Sequence, residues 1–134
     1  MIKKTSVVCS LALLIVFSAC HKKASETDVP GTYLADYGFA KETLELTPDQ
    51  NFTQEIKLTS SGRVAAAHGT WRFDKGESDI YFSDDFLVVT DGFGKLVPNF
   101  DQPSRRAISI LPVRTRFGHV QIGLDPGIPY KKLR

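Results

Sequence analysis

Alternation of apolar and polar residues with a period of two runs through most of the chain after residue 30, and it restricts the fold to sheet. Thr43-Leu44-Glu45-Leu46-Thr47 puts two leucines on one face and polar groups on the other. In Phe52-Thr53-Gln54-Glu55-Ile56-Lys57-Leu58, Phe52, Ile56 and Leu58 share a face with Gln54, while Thr53, Glu55 and Lys57 point away. Further along, Trp71 and Phe73 alternate with Thr70 and Arg72, Ile80 and Phe82 with Asp79, Tyr81 and Ser83, and Val120, Ile122 and Leu124 with His119, Gln121 and Gly123. No segment after residue 30 carries a comparable helical period.

Turn residues divide these runs at regular intervals. Pro48-Asp49-Gln50-Asn51 predicts a tight hairpin, with Pro presetting the turn and Asn closing it in a left-handed conformation. Ser60-Ser61-Gly62, Asp74-Lys75-Gly76, Asp91-Gly92 and Asp125-Pro126-Gly127 mark further reversals. Ala65, Ala67 and Gly69 line the inner face of one strand, leaving room for neighbouring aromatic groups or for a bend at Gly69. Phe86 to Thr90 reads as a short apolar strand, and 93–104 as a long irregular connection. Ile108 and Ile110 are expected to face inward before Pro112, whose missing N–H suggests an edge or bulge, and Val113, Thr115 and Phe117 share the core face while Arg114 and Arg116 point out. The spacing gives about eight short strands, enough for a sandwich or an eight-stranded antiparallel up-and-down barrel over residues 30–134. A closed barrel has no exposed edge strand.

Tyr33, Trp71, Phe73, Phe82 and Phe117 are then the candidate interior aromatics. They fill the core, or they line an apolar pocket for one small hydrophobe. Tyr37, Phe39, Phe93 and Phe100 fall in loops, where exposed rings can anchor a partner.

The first twenty residues read as an export signal. Lys3 and Lys4 precede the apolar run Val7 to Phe17, which is too short to be an ordinary membrane-spanning helix. Phe17-Ser18-Ala19-Cys20 resembles the lipobox of bacterial lipoproteins, with Phe in place of the usual first Leu. That resemblance implies a signal peptide over 1–19, cleavage before Cys20, and acylation of Cys20. His21 rather than Asp follows the cysteine, which by the same analogy favours the outer membrane, facing the periplasm. The polar stretch 20–29 is expected to be a disordered, lipidated tether. Cys9 belongs to the signal, so the processed chain has no pair with which to form an internal disulfide.

Charge divides along the chain. Residues 21–104 carry eight Lys/Arg against fourteen Asp/Glu, and residues 105–134 carry seven against Asp125 alone. Basic strands paired beside acidic ones would account for this. So would a basic surface formed by Arg105, Arg106, Arg114 and Arg116 that meets an anionic envelope component or protein. Nucleic acid is not an expected partner, because the processed chain lacks a general excess of positive charge.

Motifs for catalysis are missing. The chain has no Gly-x-Ser-x-Gly, no His-Glu-x-x-His and no phosphate-binding glycine loop. Asp84-Asp85 reads as a turn, and His68 and His119 as outward strand residues, so no metal or cofactor is expected.

Gly31-Thr32-Tyr33, Thr43-Leu44-Glu45-Leu46 with Asn51-Phe52-Thr53, and Gly69-Thr70-Trp71-Arg72-Phe73 before Asp79-Ile80-Tyr81-Phe82 resemble, in that order, the small lipocalin-like domains of bacterial lipoproteins of the NlpE N-terminal type. The resemblance implies a lipocalin-like barrel over about residues 29–90 and more loosely 105–134. The Cys-x-x-Cys pair of that type has no counterpart here, so a copper or redox role does not carry over. The functional expectation is a non-enzymatic, lipid-anchored binding or accessory module. The alternatives are a carrier of a small hydrophobic ligand and a periplasmic immunity or inhibitor protein.

Overall fold

The computed structural model describes residues 23–91, 94–102, 109–123 and 128–133. The fold is all-β: eight antiparallel strands, each bonded to the next in sequence, with the last returning to the first to close a barrel. They are β1 (Gly31–Asp36), β2 (Ala40–Leu46), β3 (Asn51–Leu58), β4 (Val64–Asp74), β5 (Asp79–Phe82), β6 (Ser109–Arg116), β7 (His119–Ile122) and β8 (Tyr130–Lys132).

The period-two pattern determines which side chains enter the core. β2 and the first six residues of β3 alternate buried and exposed positions without interruption. Their register sets Leu46 opposite Phe52 and Leu44 opposite Gln54, so the inner faces coincide. The room expected for a neighbouring aromatic group is found at Gly69. A Cβ there would stand 2.7 Å from the Phe52 ring, which crosses the gap that Gly69 leaves. Phe52, Phe82 and Phe86 form one aromatic cluster, Phe52 meeting Phe82 edge-on at 5.4 Å and Phe82 stacking on Phe86 at 4.2 Å. The Trp71 indole N–H lies between the Thr47 and Asn51 carbonyls, at 3.2 and 3.0 Å, and so holds the β2–β3 turn against β4.

An up-and-down barrel places alternate turns at opposite ends. One end carries the β2–β3, β4–β5 and β6–β7 turns together with the segment leading into β1. The other carries the β1–β2 and β3–β4 turns and the long connection after β5. Chain outside the strands covers both ends. At the first, Ala24 and Val29 are buried in the main core, flanking a 3-10 turn (Glu26–Asp28) capped by Ser25. The described part of the expected disordered tether is therefore folded from Ala24 onward. At the second, Leu87, Val89 and Phe100 pack on Ala40, Ile56 and Ala65.

Several local expectations are corrected. Phe86 to Thr90 is not a strand of the barrel; it lies over the second end, with one isolated bridge between Thr90 and Leu96. Phe100 is buried rather than exposed. Its cover is secured by Arg63, which pairs with Asp101 and lies 5.5 Å over the Phe100 ring. Ile110 points outward, because β6 passes through Pro112 without changing phase. Pro112 sits opposite Asp79, and bonds on both sides carry the strand through it: the Val113 N–H donates to the Ser78 carbonyl at 2.8 Å and the Gly123 N–H donates to the Pro112 carbonyl at 2.9 Å. In the β2–β3 turn the left-handed residue is Gln50, with φ 66°, and Asn51 already belongs to β3.

Candidate functional site

The interior holds a polar centre. Continuing the parity of Leu46 and Leu44 back along β2 brings Glu42 inside. On β3, Gln54 occupies the inner position between Phe52 and Ile56. Glu42 is opposite Ile56 and Leu44 opposite Gln54, so the two polar side chains are diagonal neighbours on one face. Both are essentially fully buried. Gln54 Nε2 and Tyr130 Oη donate to Glu42 Oε1, the latter at 2.7 Å, and Tyr37 Oη donates to Oε2 at 2.7 Å. Gln54 also pairs with the backbone of Leu87, whose N–H donates to Oε1 at 2.8 Å and whose carbonyl accepts from Nε2 at 2.9 Å.

Burial pushes the Glu42 carboxyl above the usual carboxylate range, and the hydrogen bonds from Gln54, Tyr130 and Tyr37 offset only part of that. Burial, followed by the neighbouring Glu42 charge, holds the Tyr37 and Tyr130 phenols well above their ordinary values, so they remain hydroxyl donors. Every buried side-chain nitrogen and oxygen among the described residues has a partner. The centre thus links β2, β3, β8, the end of β1 and the cover segment. Its polar groups are hydrogen-bonded to one another and to the Leu87 backbone.

The candidate pocket residues divide. Tyr33, Trp71 and Phe82 lie in the main core, and half-buried Phe73 packs against it. Phe117 is a correction: it sits outside the barrel, 90 % exposed, in the β6–β7 turn. Strand parity ends at Arg116, and the reversal takes Phe117 and Gly118 as its two central residues, with φ 51° and 78°. Tyr37 and Phe39, half-buried, stack on each other with ring centroids 5.9 Å apart.

Arg114 and Arg116 are exposed on the outer face of β6. They stand opposite Gln121 and His119, and Lys131 on β8 extends the first row beyond Gln121 to Leu34. Directly opposite these cations on β7 and β1 are therefore neutral side chains or a histidine, whereas on the β5 side Asp79 stands opposite Pro112 and is a diagonal neighbour of Arg114. Cys20, Phe93, Arg105 and Arg106 lie outside the described residues. Asp84 and Asp85 form the expected exposed turn. His68, on β4, and His119, on β7, are both exposed and separated by two intervening strands. Among the described residues, no cluster of three or more His, Cys, Asp or Glu is arranged to hold a metal ion.

Inner-face parity places Gln54 inside from the sequence alone, and the same parity, carried one step before Leu44, reaches Glu42. Tyr37 enters from beyond a strand end, where no period applies. Comparison with family models, curated proteins and solved structures finds no match.

Proposed function

We propose that this chain is a lipid-anchored envelope lipoprotein, acylated at Cys20 after removal of residues 1–19, whose barrel is a non-catalytic binding or accessory module. The lipobox-like Phe17-Ser18-Ala19-Cys20 supports the anchor. On the pattern of the residue after the cysteine, the membrane is the outer one and the barrel faces the periplasm. The observation that carries the binding role is the contrast between interior and exterior. The polar groups inside are satisfied by one another, while Arg114, Arg116 and Lys131 form an outer basic face with no carboxylate directly opposite them on β7 or β1. Such a face attracts an anionic surface and orients the encounter with it. Arg105 and Arg106 add to the same basic stretch of sequence.

The test uses the full chain expressed in cells. Mass spectrometry of the processed protein reads the state of Cys20, and crosslinking in the envelope reads the contact. Reversing Arg105, Arg106, Arg114 and Arg116 to Glu is expected to abolish the crosslinked species while the circular dichroism spectrum stays that of a β-protein. Undiminished crosslinking in this variant would refute the basic face.

A further inference from the structure

We propose that the barrel end carrying the β6–β7 turn rests on the bilayer, with Phe117 entering the lipid interface and Arg116 beside it meeting lipid phosphate. This rests on the acylation of Cys20 proposed above and identifies the anionic surface as the membrane itself.

The length of the lead sets which end faces the lipid. The chain from Ala24 onward belongs to the folded body. Ala24 and Val29 are in the main core, Tyr33 Oη donates to the Val29 carbonyl, and Lys132 Nζ donates to the Asp28 carbonyl at 2.6 Å. Ala24 lies four chain steps beyond Cys20, a reach of at most about 14 Å when fully extended. An eight-residue strand such as β3 spans about 27 Å. The end where the lead enters is therefore held close to the acyl chains, and the opposite end stands away from them.

That near end presents the most exposed large apolar side chain described. Phe117 is 90 % exposed, whereas the others range from 38 % to 51 %. Its backbone is left-handed, a conformation that suits Asn or Gly in a two-residue hairpin and is unfavourable for a bulky ring. Phe117 thus incurs backbone strain and gains little burial within the domain, which fits a ring that finds its contact outside it.

The turn and the lead are also adjacent. Gly118 and His119 line one groove with Thr27, Asp28 and Lys132. The Arg116 guanidinium lies 5.6 Å from the centroid of the Phe117 ring. An apolar ring with a cation beside it suits the boundary between acyl chains and headgroups. Carboxylates at this end are Glu26 and Asp28 on the lead, Asp49 in the β2–β3 turn, and Asp74, Glu77 and Asp79 around the β4–β5 turn; the β6–β7 turn itself carries none, so the contact centres there.

The experiment uses the acylated chain reconstituted in vesicles of phosphatidylethanolamine and phosphatidylglycerol with brominated acyl chains. Phe117→Trp adds one indole to the buried Trp71, and Ser61→Trp places a control indole at the far end. Quenching, taken as the excess over the unsubstituted chain, is expected to be several-fold greater for Phe117→Trp than for Ser61→Trp. Equal quenching at the two positions, in protein whose Cys20 is shown to be acylated, would overturn the docking and leave the anchor standing. A bare Cys20 with protein lost from the membrane fraction would overturn both. Quenching at Ser61→Trp alone would show that the barrel is inverted, which also refutes the proposal.

Discussion

The Gln54 side chain and the Leu87 backbone, 33 residues apart in sequence, hold each other by two hydrogen bonds, at 2.8 and 2.9 Å, inside the barrel. A carboxamide is the side chain that can imitate a rung of a sheet ladder, accepting from an N–H and donating to a carbonyl at once. The contact fastens the segment after β5, with Phe86 and Leu87, over one end of the barrel.

Replacing Gln54 by Leu keeps much of the volume and removes both bonds. The Leu87 N–H and carbonyl lose their partner and Glu42 loses one of its donors, and stability is expected to fall by about 2–4 kcal/mol. Urea denaturation reads the loss, and hydrogen exchange at the Leu87 amide is expected to accelerate more than exchange at Leu44.

Glu42 makes stability depend on pH in the direction opposite to a salt-bridged carboxylate. Its folded-state pKa lies above the unfolded value, so the native state binds the extra proton between the two. Stability then falls as pH rises from the ordinary carboxylate range through the raised folded pKa, and below that range the penalty vanishes. Glu42→Gln, which removes the charge and retains hydrogen bonding, is expected to gain relative to the parent chain as pH rises through this window. Parallel stability curves for the two proteins across that window would show that Glu42 is not perturbed.

Gly69→Ala tests the close approach of β4 to the aromatic cluster. The added methyl meets the Phe52 ring at 2.7 Å and crowds the Ser83 hydroxyl. Displacing a ring that also contacts Phe82 and Phe86 is expected to cost about 1–3 kcal/mol, read as a lower thermal midpoint.

Phe117→Asn is expected to act in the other direction. Asn accepts the left-handed conformation, and Gly118 completes a favoured hairpin pair, so the free domain is expected to gain about 0.5–1 kcal/mol in urea unfolding. A loss of that size would mean that the Phe117 ring supports the fold.

The barrel was legible because the same parity recurs from strand to strand, and neighbouring strands must agree on an inner face. Glu42, one step of two before Leu44, is legible by that rule, but only once the strand is known to begin at Ala40 rather than at Thr43. The end covers left no comparable trace. Phe100, Leu87 and Ala24 are buried by chain that makes no ladder, so their place depends on contacts distant in sequence. Pro112 misled for a different reason. Neighbouring bonds carry β6 through a residue that has no N–H, because Val113 donates to Ser78 on one side and the Pro112 carbonyl accepts from Gly123 on the other.

β8 has three residues, and its register with each neighbour, β7 and β1, comprises two pairs. It also carries Tyr130, whose hydroxyl reaches Glu42. The seam that completes the cylinder is thus both its shortest and the one bonded to the ionisable group within. Fraying there would admit water to the carboxyl at the moment the sheet parts, so alkali and mechanical opening would unzip the molecule from one and the same place.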